Sequence, residues 1–215
     1  MRSKSLSRAK AMLFVVLAVA VNICTAPDAA AQNTAPTTAQ LSGGVGWTEL
    51  WDDETQLGRG TMVTLGAGML LSRRLLVEGS FDAASHIRDS GYLRVEGTTQ
   101  AVFARATYLF GADDARIRPT AGASLGVLHG SGALIARSVV FDGSVPVQGP
   151  DERRPWSITR PAFDVHGGAR VQLTNRVALR PEARWRATWG TAASAAIEPP
   201  LINLQAMLHI DVGLR

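Results

Sequence analysis

The sequence predicts an all-β fold, an eight-stranded antiparallel up-and-down transmembrane β-barrel. Three observations support this prediction: apolar and polar residues alternate in eight segments, no segment after the N-terminus has an amphipathic-helix pattern, and long connections alternate with short ones. Residues 177–189 show the alternation best, because their odd positions are apolar while Arg180, Glu182, Arg184 and Arg186 occupy even positions. A period of two places these sets on opposite faces of a strand. In a membrane barrel, the apolar face meets lipid and the polar face lines the interior.

The N-terminal residues have the pattern of an export signal. A basic start is followed by the apolar segment 11–21, and the small residues 29–31 offer a cleavage site. We therefore predict a signal peptide at residues 1–31, a flexible lead-in at 32–40, and a barrel at 41–215 with a long outer loop at 129–160. The single cysteine, Cys24, would leave with the signal.

The charge of the predicted mature chain argues against nucleic-acid binding. Residues 1–31 hold four of the 22 basic and one of the 18 acidic residues, so their removal lowers the net charge from +4 to +1. The sequence has no Gly-rich phosphate loop before a helix, and its histidines lack metal-ligand spacing. We therefore expect no cofactor and no metal.

Strands are predicted in order from alternating segments separated by turn residues. They cover 41–50, 60–71, 74–88, 92–110, 116–128, 161–173, 177–189 and 201–215. A change of phase between Gly97 and Ala101 predicts either a β-bulge in the fourth strand or strand pairing that continues beyond the membrane plane. Residues 129–160 contain three prolines and several glycines, which indicates an excursion in which 138–147 can form a small hairpin. Short turns on one side and longer loops on the other are typical of bacterial outer-membrane barrels.

Two further sets of side chains follow from the same strand assignment. Aromatic residues fall at strand ends, where they would form girdles at the two membrane interfaces. This predicted girdle comprises Trp47, Trp51, Tyr108, Phe110, Phe163, Trp185 and Trp189. Charged residues at inward positions predict an Arg–carboxylate network, because unpaired charges inside a narrow barrel would be costly. This predicted network comprises Glu78, Asp82, Arg105, Asp164, Arg170, Arg180, Glu182, Arg184, Arg186 and Asp211.

Strand count, alternation, loop asymmetry and the final strand together resemble the small eight-stranded outer-membrane barrels of the outer-membrane protein A/X-like group. The resemblance covers about residues 39–215, although Leu214 and Arg215 stand where such proteins often end in an aromatic residue. It implies an outer-membrane location, contact with outer-membrane lipid and lipopolysaccharide, and recognition by the barrel-assembly machinery. For function, our first hypothesis is a non-enzymatic role, either structural or in surface interaction through the 129–160 loop with a partner that the sequence does not identify.

Two alternatives remain open at this point. His129, Ser131 and Asp142 are similar to the catalytic residues of outer-membrane lipid A deacylases, although Gly132 stands where that family has Asn and the acid is Asp rather than Glu. The second alternative is a soluble periplasmic lipocalin-like barrel. It would turn the strands inside out, so that the apolar face encloses a small apolar ligand.

Overall fold

In the computed structural model, residues 38–52, 55–142, 145–189 and 201–214 are described, and they form ten antiparallel strands. The chain divides into Met1–Ala35 and Pro36–Arg215, and the predicted signal peptide lies outside the described residues. Across those described ranges, no helix is long and apolar enough to cross a membrane. The strands are β1 (Thr38–Asp52), β2 (Thr55–Leu70), β3 (Leu75–Asp89), β4 (Leu93–Leu109), β5 (Ile117–Ala136), β6 (Val139–Asp142), β7 (Val145–Gln148), β8 (Glu152–Gln172), β9 (Val177–Thr188) and β10 (Leu201–Gly213).

Eight of these strands close into one barrel, which confirms the predicted fold class. Their order is β1-β10-β9-β8-β5-β4-β3-β2, and β6 pairs with β7 in a separate small sheet. The first and last strands close the barrel through a continuous register from Gln40↔Gly213 to Asp52↔Leu201. Closure gives the edge strands hydrogen-bond partners, which a sheet surrounded by lipid requires.

The outer surface of the barrel carries the apolar face of each strand. Leu65 is 66 % exposed and Leu125 is 65 % exposed, whereas their sequence neighbours Thr64 and Ser124 point inward and are buried. We call this surface the apolar belt. Its members include Leu41, Val45, Val63, Leu65, Met69, Phe81, Val102, Leu125, Val127, Leu208, Ile210 and Val212. Large apolar side chains exposed on six of the eight barrel strands match a surface that faces lipid.

Strands β5 and β8 are longer than predicted, so the predicted loop at 129–160 is wrong in extent. Their pairing continues from Ile117↔Val171 to Ala136↔Glu152, and the connection shrinks to residues 137–151. The expected small hairpin lies within this connection as β6 and β7. The glycines and prolines that suggested a loop therefore belong largely to paired strands.

Of the two explanations predicted for the change of phase between Gly97 and Ala101, the bulge is wrong, and the structure shows strand pairing that continues beyond the belt. The register of β4 with β5 runs without a shift from Leu93↔Ala136 to Leu109↔Thr120, and odd-numbered residues of β4 face inward along its whole length. The register shift in the described residues lies instead between β1 and β2, where Leu50 pairs with Gly58 and Trp51 with Gln56, so that Leu57 of β2 is the extra residue. The change of pattern in β4 reflects a change in surroundings, because beyond the belt the interior becomes apolar and the outside polar.

A four-stranded sheet extends past the belt on the side of the long connections. It comprises residues 84–89 of β3, 93–99 of β4, 129–136 of β5 and 152–160 of β8. We call it the outer projection. Its inward face belongs to an apolar cluster that closes this end of the barrel. The cluster comprises Leu50, Leu57, Val95, Ala101, Phe103, Leu128, Trp156, Ile158, Ala162 and Leu201.

Trp156 packs against backbone in the outer projection. It pairs in register with Gly132, and a Cβ atom added to Gly97 would lie 2.7 Å from Cζ2 of its ring. A Cβ atom added to Gly130 would lie 3.0 Å from Cζ3 of the same ring. Glycine is needed at these positions because the indole occupies the space that side chains would fill. Large side chains that cover glycines in this way stabilise a sheet.

At the tip of the outer projection, Asp89 accepts hydrogen bonds from the Gly91 amide at 3.1 Å and from Arg137 at 2.8 Å. The Gly91 amide and the Arg137 charge favour the ionised carboxylate and lower the pKa of Asp89, which lies outside the belt. The Arg137 contact connects the β3–β4 turn to the connection after β5.

Leu65→Arg tests whether the belt faces lipid. A charge within the belt should lower the free energy of unfolding in bilayers by about 2–4 kcal/mol, whereas Leu71→Arg beside the turn at Ser72 should cost about 0–1 kcal/mol. Denaturant titration in lipid vesicles measures both variants. Equal, near-zero costs would be expected of a surface that faces water and would contradict the assignment.

Gly97→Ala tests the packing of Trp156. The added methyl group would overlap the indole, so we expect a loss of about 1–3 kcal/mol in unfolding free energy. Protease cleavage within residues 129–160 should also become faster. Gly79→Ala is the matched control, since its Cβ would come no closer than 4.0 Å to its nearest neighbour, the Ala67 carbonyl oxygen. A Gly97 variant as stable and as protease-resistant as the Gly79 variant would refute this packing role.

Candidate functional site

The centre of the barrel is filled with charged side chains. Strand β9 supplies Arg180, Glu182, Arg184 and Arg186 at alternating positions, and all four are buried. They reach across the barrel to carboxylates on β3 and to neighbours on β4, β8 and β10. This placement follows from the period of two in a strand whose other face joins the belt.

Arg180 makes the most complete ion pair of the interior. Its two terminal nitrogens donate to Glu78 at 2.8 and 3.1 Å, and one of them also lies 3.3 Å from Asp211. Ser42 donates a further hydrogen bond to Glu78 at 2.8 Å. The bidentate geometry suits the planar guanidinium, and it holds β9, β3 and β10 to one another across the interior.

Glu182 and Asp82 each join two arginines. Arg105 donates to Glu182 at 2.6 Å and Arg184 donates to the same carboxylate oxygen. Arg184 also lies 3.2 Å from Asp82, which accepts from Arg186. These shared carboxylates connect the pairs into one network, so that removing a single member leaves several charges without a partner.

Asp164 and a histidine extend the network toward β8. Arg186 donates to Asp164 at 3.2 Å, and Ser124 donates to Asp164 at 2.7 Å. Nδ1 of His166 lies 3.2 Å from the Asp164 carboxylate, and its Nε2 lies 2.9 Å from the Thr107 hydroxyl. Arg186 also lies over the Phe103 ring, 4.1 Å from its centroid, where the ionic layer meets the apolar cluster.

The ten residues predicted for the interior network all face inward, and five arginines balance five carboxylates. We call this set the ionic network. Arg170 differs from the other arginines, because its nearest carboxylate, Asp211, is 3.9 Å away. Within the described ranges, no group of three His, Cys, Asp or Glu side chains could hold a metal ion. The network is arranged for charge compensation and for filling space.

The predicted aromatic girdle divides between the two ends of the barrel. Phe163 contacts Trp185 and Trp189 with ring centroids 5.4 and 5.8 Å apart, near the end with long connections. Trp47 is exposed and Trp51 half-buried near the same end. At the short-turn end, Tyr108 and Phe110 form an edge-to-face pair with centroids 4.8 Å apart.

The structure does not bring His129, Ser131 and Asp142 together. Nδ1 of His129 lies 2.8 Å from the Thr159 hydroxyl, and the Ser131 hydroxyl lies 3.4 Å from that of Thr98. Asp142 lies in β6, which belongs to the separate small sheet. His129 and Ser131 do have the outward orientation that the sequence predicts. The described contacts nevertheless lack the nucleophile–base and base–acid hydrogen bonds of a catalytic triad.

A closed barrel with an apolar outside and an ionic inside defines a transmembrane β-barrel. This arrangement contradicts the lipocalin-like alternative, which required an apolar interior. Residues 15–195 match the family described as "Outer membrane protein beta-barrel domain", and the chain belongs to that family. The resemblance to outer-membrane barrels inferred from the sequence is therefore confirmed.

Several solved structures share this fold at low sequence identity. Neisserial surface protein A aligns with a TM-score of 0.59 at 14 % identity, covering 81 % of this chain and 96 % of that one. A major outer membrane protein from Thermus thermophilus aligns with a TM-score of 0.55 at 12 % identity, covering 82 % and 99 %. Ail, the attachment invasion locus protein of Yersinia pestis, aligns with a TM-score of 0.51 at 13 % identity, covering 83 % and 99 %. A comparison with curated protein sequences finds no significant match.

Glu78→Gln tests the ionic network. The substitution leaves Arg180 without its bidentate partner in a buried setting, which should cost about 3–5 kcal/mol of unfolding free energy. The matched control is Glu152→Gln, since Glu152 forms an exposed pair with Arg154 at 2.8 Å and its loss should cost about 0–1 kcal/mol. Denaturant unfolding in detergent micelles measures both, and similar costs would show that the buried pair contributes no more than the surface pair.

Proposed function

We propose that this protein is a non-conducting outer-membrane barrel that acts in surface interaction through its outer projection. The proposal includes export by residues 1–31 and contact of the belt with outer-membrane lipid and lipopolysaccharide. It also includes insertion by the barrel-assembly machinery. The observation that carries the proposal is the outer projection itself, where paired strands with a buried inner face replace the loop that the sequence suggested.

The ionic network supports a closed interior. Arg180, Arg184 and Glu182 are nearly inaccessible to solvent, and they lie between carboxylates and arginines from other strands. Eight-stranded barrels have an interior that side chains can fill. Above the network, the apolar cluster adds Phe103, Leu128 and Trp156 to the obstruction. Solute passage would require both layers to move.

The outer projection supports a role outside the cell. In barrels of this kind, long connections face the exterior and short turns face the periplasm. The projection is held by strand pairing up to Ala136↔Glu152 and by an ion pair near its tip, in which Arg137, after β5, lies 2.8 Å from Asp89 of β3. A preorganised surface loses less conformational entropy on binding than a mobile loop does. Ail, one of the proteins with this fold, is named the attachment invasion locus protein. The name describes that protein, and we propose a similar surface role for this chain.

The experiment compares two shortened variants displayed in a Gram-negative host that lacks related barrels. The first replaces residues 131–157 with a two-residue turn, which removes the β5 and β8 parts of the projection beyond Gly130 and Ile158 and keeps the belt. The second removes only residues 139–148, whose flanks are adjacent because the Gly149 amide donates to the Ser138 carbonyl at 2.9 Å. A shift in gel mobility on boiling confirms that each variant has folded.

We expect the full chain and the second variant to bind immobilised extracellular-matrix proteins or sulfated polysaccharide, and the first variant to lose that binding. Purified full chain in planar bilayers should show no stable conductance steps. Loss of adhesion in the second variant, or unchanged adhesion in the first, would overturn the role of the projection. Regular single-channel steps would overturn the closed interior.

A further inference from the structure

The barrel opens at its short-turn end into a cavity of about 740 Å³. Its walls come from the β2–β3, β4–β5 and β8–β9 turns and from the first inward residues of the neighbouring strands. We call it the turn-end cavity. It lies at the opposite end from the outer projection, so a ligand site there is independent of the proposed surface role.

The charges that line the turn-end cavity are unbalanced. Five arginines and two aspartates contribute to its wall: Arg73, Arg116, Arg118, Arg170, Arg176, Asp113 and Asp114. Asp113 is shared, since it lies 3.5 Å from Arg73, 3.8 Å from Arg74 and 3.6 Å from Arg118. Arg170 also belongs to the ionic network, which is neutral when Arg170 is included, and the other four arginines and two aspartates leave a net charge of +2 at this end.

Two of these arginines lie directly opposite each other. Arg118 of β5 and Arg170 of β8 are partners in the strand register, and both point into the barrel. Their side chains are only 11 % and 12 % exposed. Like charges at directly opposed positions of neighbouring strands are destabilising unless something compensates them.

The described residues compensate this pair poorly. Arg118 donates to the carbonyl oxygens of Arg73 and Leu109 at 2.8 and 3.1 Å, but these neutral groups do not cancel its charge. Its nearest carboxylate is Asp113 at 3.6 Å. Arg170 has only Asp211 at 3.9 Å, and Asp211 is already 3.3 Å from Arg180. Nε of Arg118 and Nε of Arg170 are buried and have no hydrogen-bond partner among the described residues.

We propose that the turn-end cavity binds a small multivalent oxyanion of the phosphate class between Arg118 and Arg170. Two guanidinium groups on neighbouring strands provide paired donors that match phosphate oxygens, and a bound anion would remove the repulsion between them. Arg116 and Arg176 are exposed at the rim, where they attract anions toward the cavity. The volume lies in the range of small-molecule sites. The ligand reaches the site from the short-turn side, because the ionic network closes the other.

The experiment uses the full mature chain, refolded in zwitterionic detergent, with inorganic pyrophosphate as the probe. Isothermal titration at fixed ionic strength measures affinity, and thermal unfolding with and without pyrophosphate measures stabilisation. We expect the unmodified chain to bind pyrophosphate. Arg170→Gln should raise the dissociation constant at least about tenfold, because it removes one charge-assisted contact. Arg154→Gln, at the other end of the barrel, should bind as the unmodified chain does, and acetate should not compete.

Unfolding in the absence of anion separates a binding role from a structural one. Arg170→Gln should change the unfolding temperature little, because it removes a like-charge contact with Arg118 together with a long ion pair to Asp211 at 3.9 Å, and no hydrogen bond. Arg180→Gln should lower it, because that change leaves Glu78 unpaired. The proposal fails if pyrophosphate does not bind, if Arg170→Gln binds it unchanged, or if Arg170→Gln is as destabilising as Arg180→Gln without anion.

Discussion

Closure of the sheet between β1 and β10 is the constraint on which the rest of the structure depends. Inside lipid, each unpaired backbone group costs several kcal/mol, so an open sheet edge is excluded. The register from Gln40↔Gly213 to Asp52↔Leu201 gives both edge strands their partners. Closure with eight strands then limits the interior to a width that side chains fill. The belt and the ionic network follow as the outer and inner faces of the same alternating strands.

The ionic network specifies register as well as filling space. Buried ion pairs lose much of their Coulomb energy to desolvation, so they are weak evidence for stability in themselves. A slip of β9 by one residue, however, would place Arg180, Arg184 and Arg186 in the belt and bring Trp185 inside. The bidentate contact of Arg180 with Glu78 and the sharing of Glu182 between Arg105 and Arg184 exist in one register only. The network therefore favours the native register of β9 over the register shifted by one residue.

Within the belt, the sequence was sufficient to predict the strands and their two faces. There, apolar side chains point toward lipid and polar side chains point toward the interior. Residues 177–189 and the network partner Asp82 were placed correctly by their period of two. Beyond the belt the same rule failed, since Val95 and Trp156 point inward and Thr98 points outward. The loop predicted at 129–160 came from its prolines and glycines, and the bulge considered after Gly97 came from assuming that the interior stays polar along the whole strand. The opposition of Arg118 and Arg170 depends on the register between β5 and β8, which alternation within each strand does not determine.

The outer edge of the belt can be located from residues that pair across neighbouring strands. Their position also offers a structural explanation for the His129–Ser131 pattern. Gln100, His129 and Thr159 form one register row across β4, β5 and β8, and all three are exposed on the outer face. The next outward-facing row toward the barrel is apolar and contains Val102 and Val127. A barrel needs groups that form hydrogen bonds at the level where hydrocarbon gives way to headgroups and water. Hydroxyl and imidazole side chains serve that purpose, and the contact of His129 with Thr159 lies along the row. The outer projection starts at this boundary, where the outward face of its strands becomes polar while the inward face continues the apolar cluster that begins at Phe103.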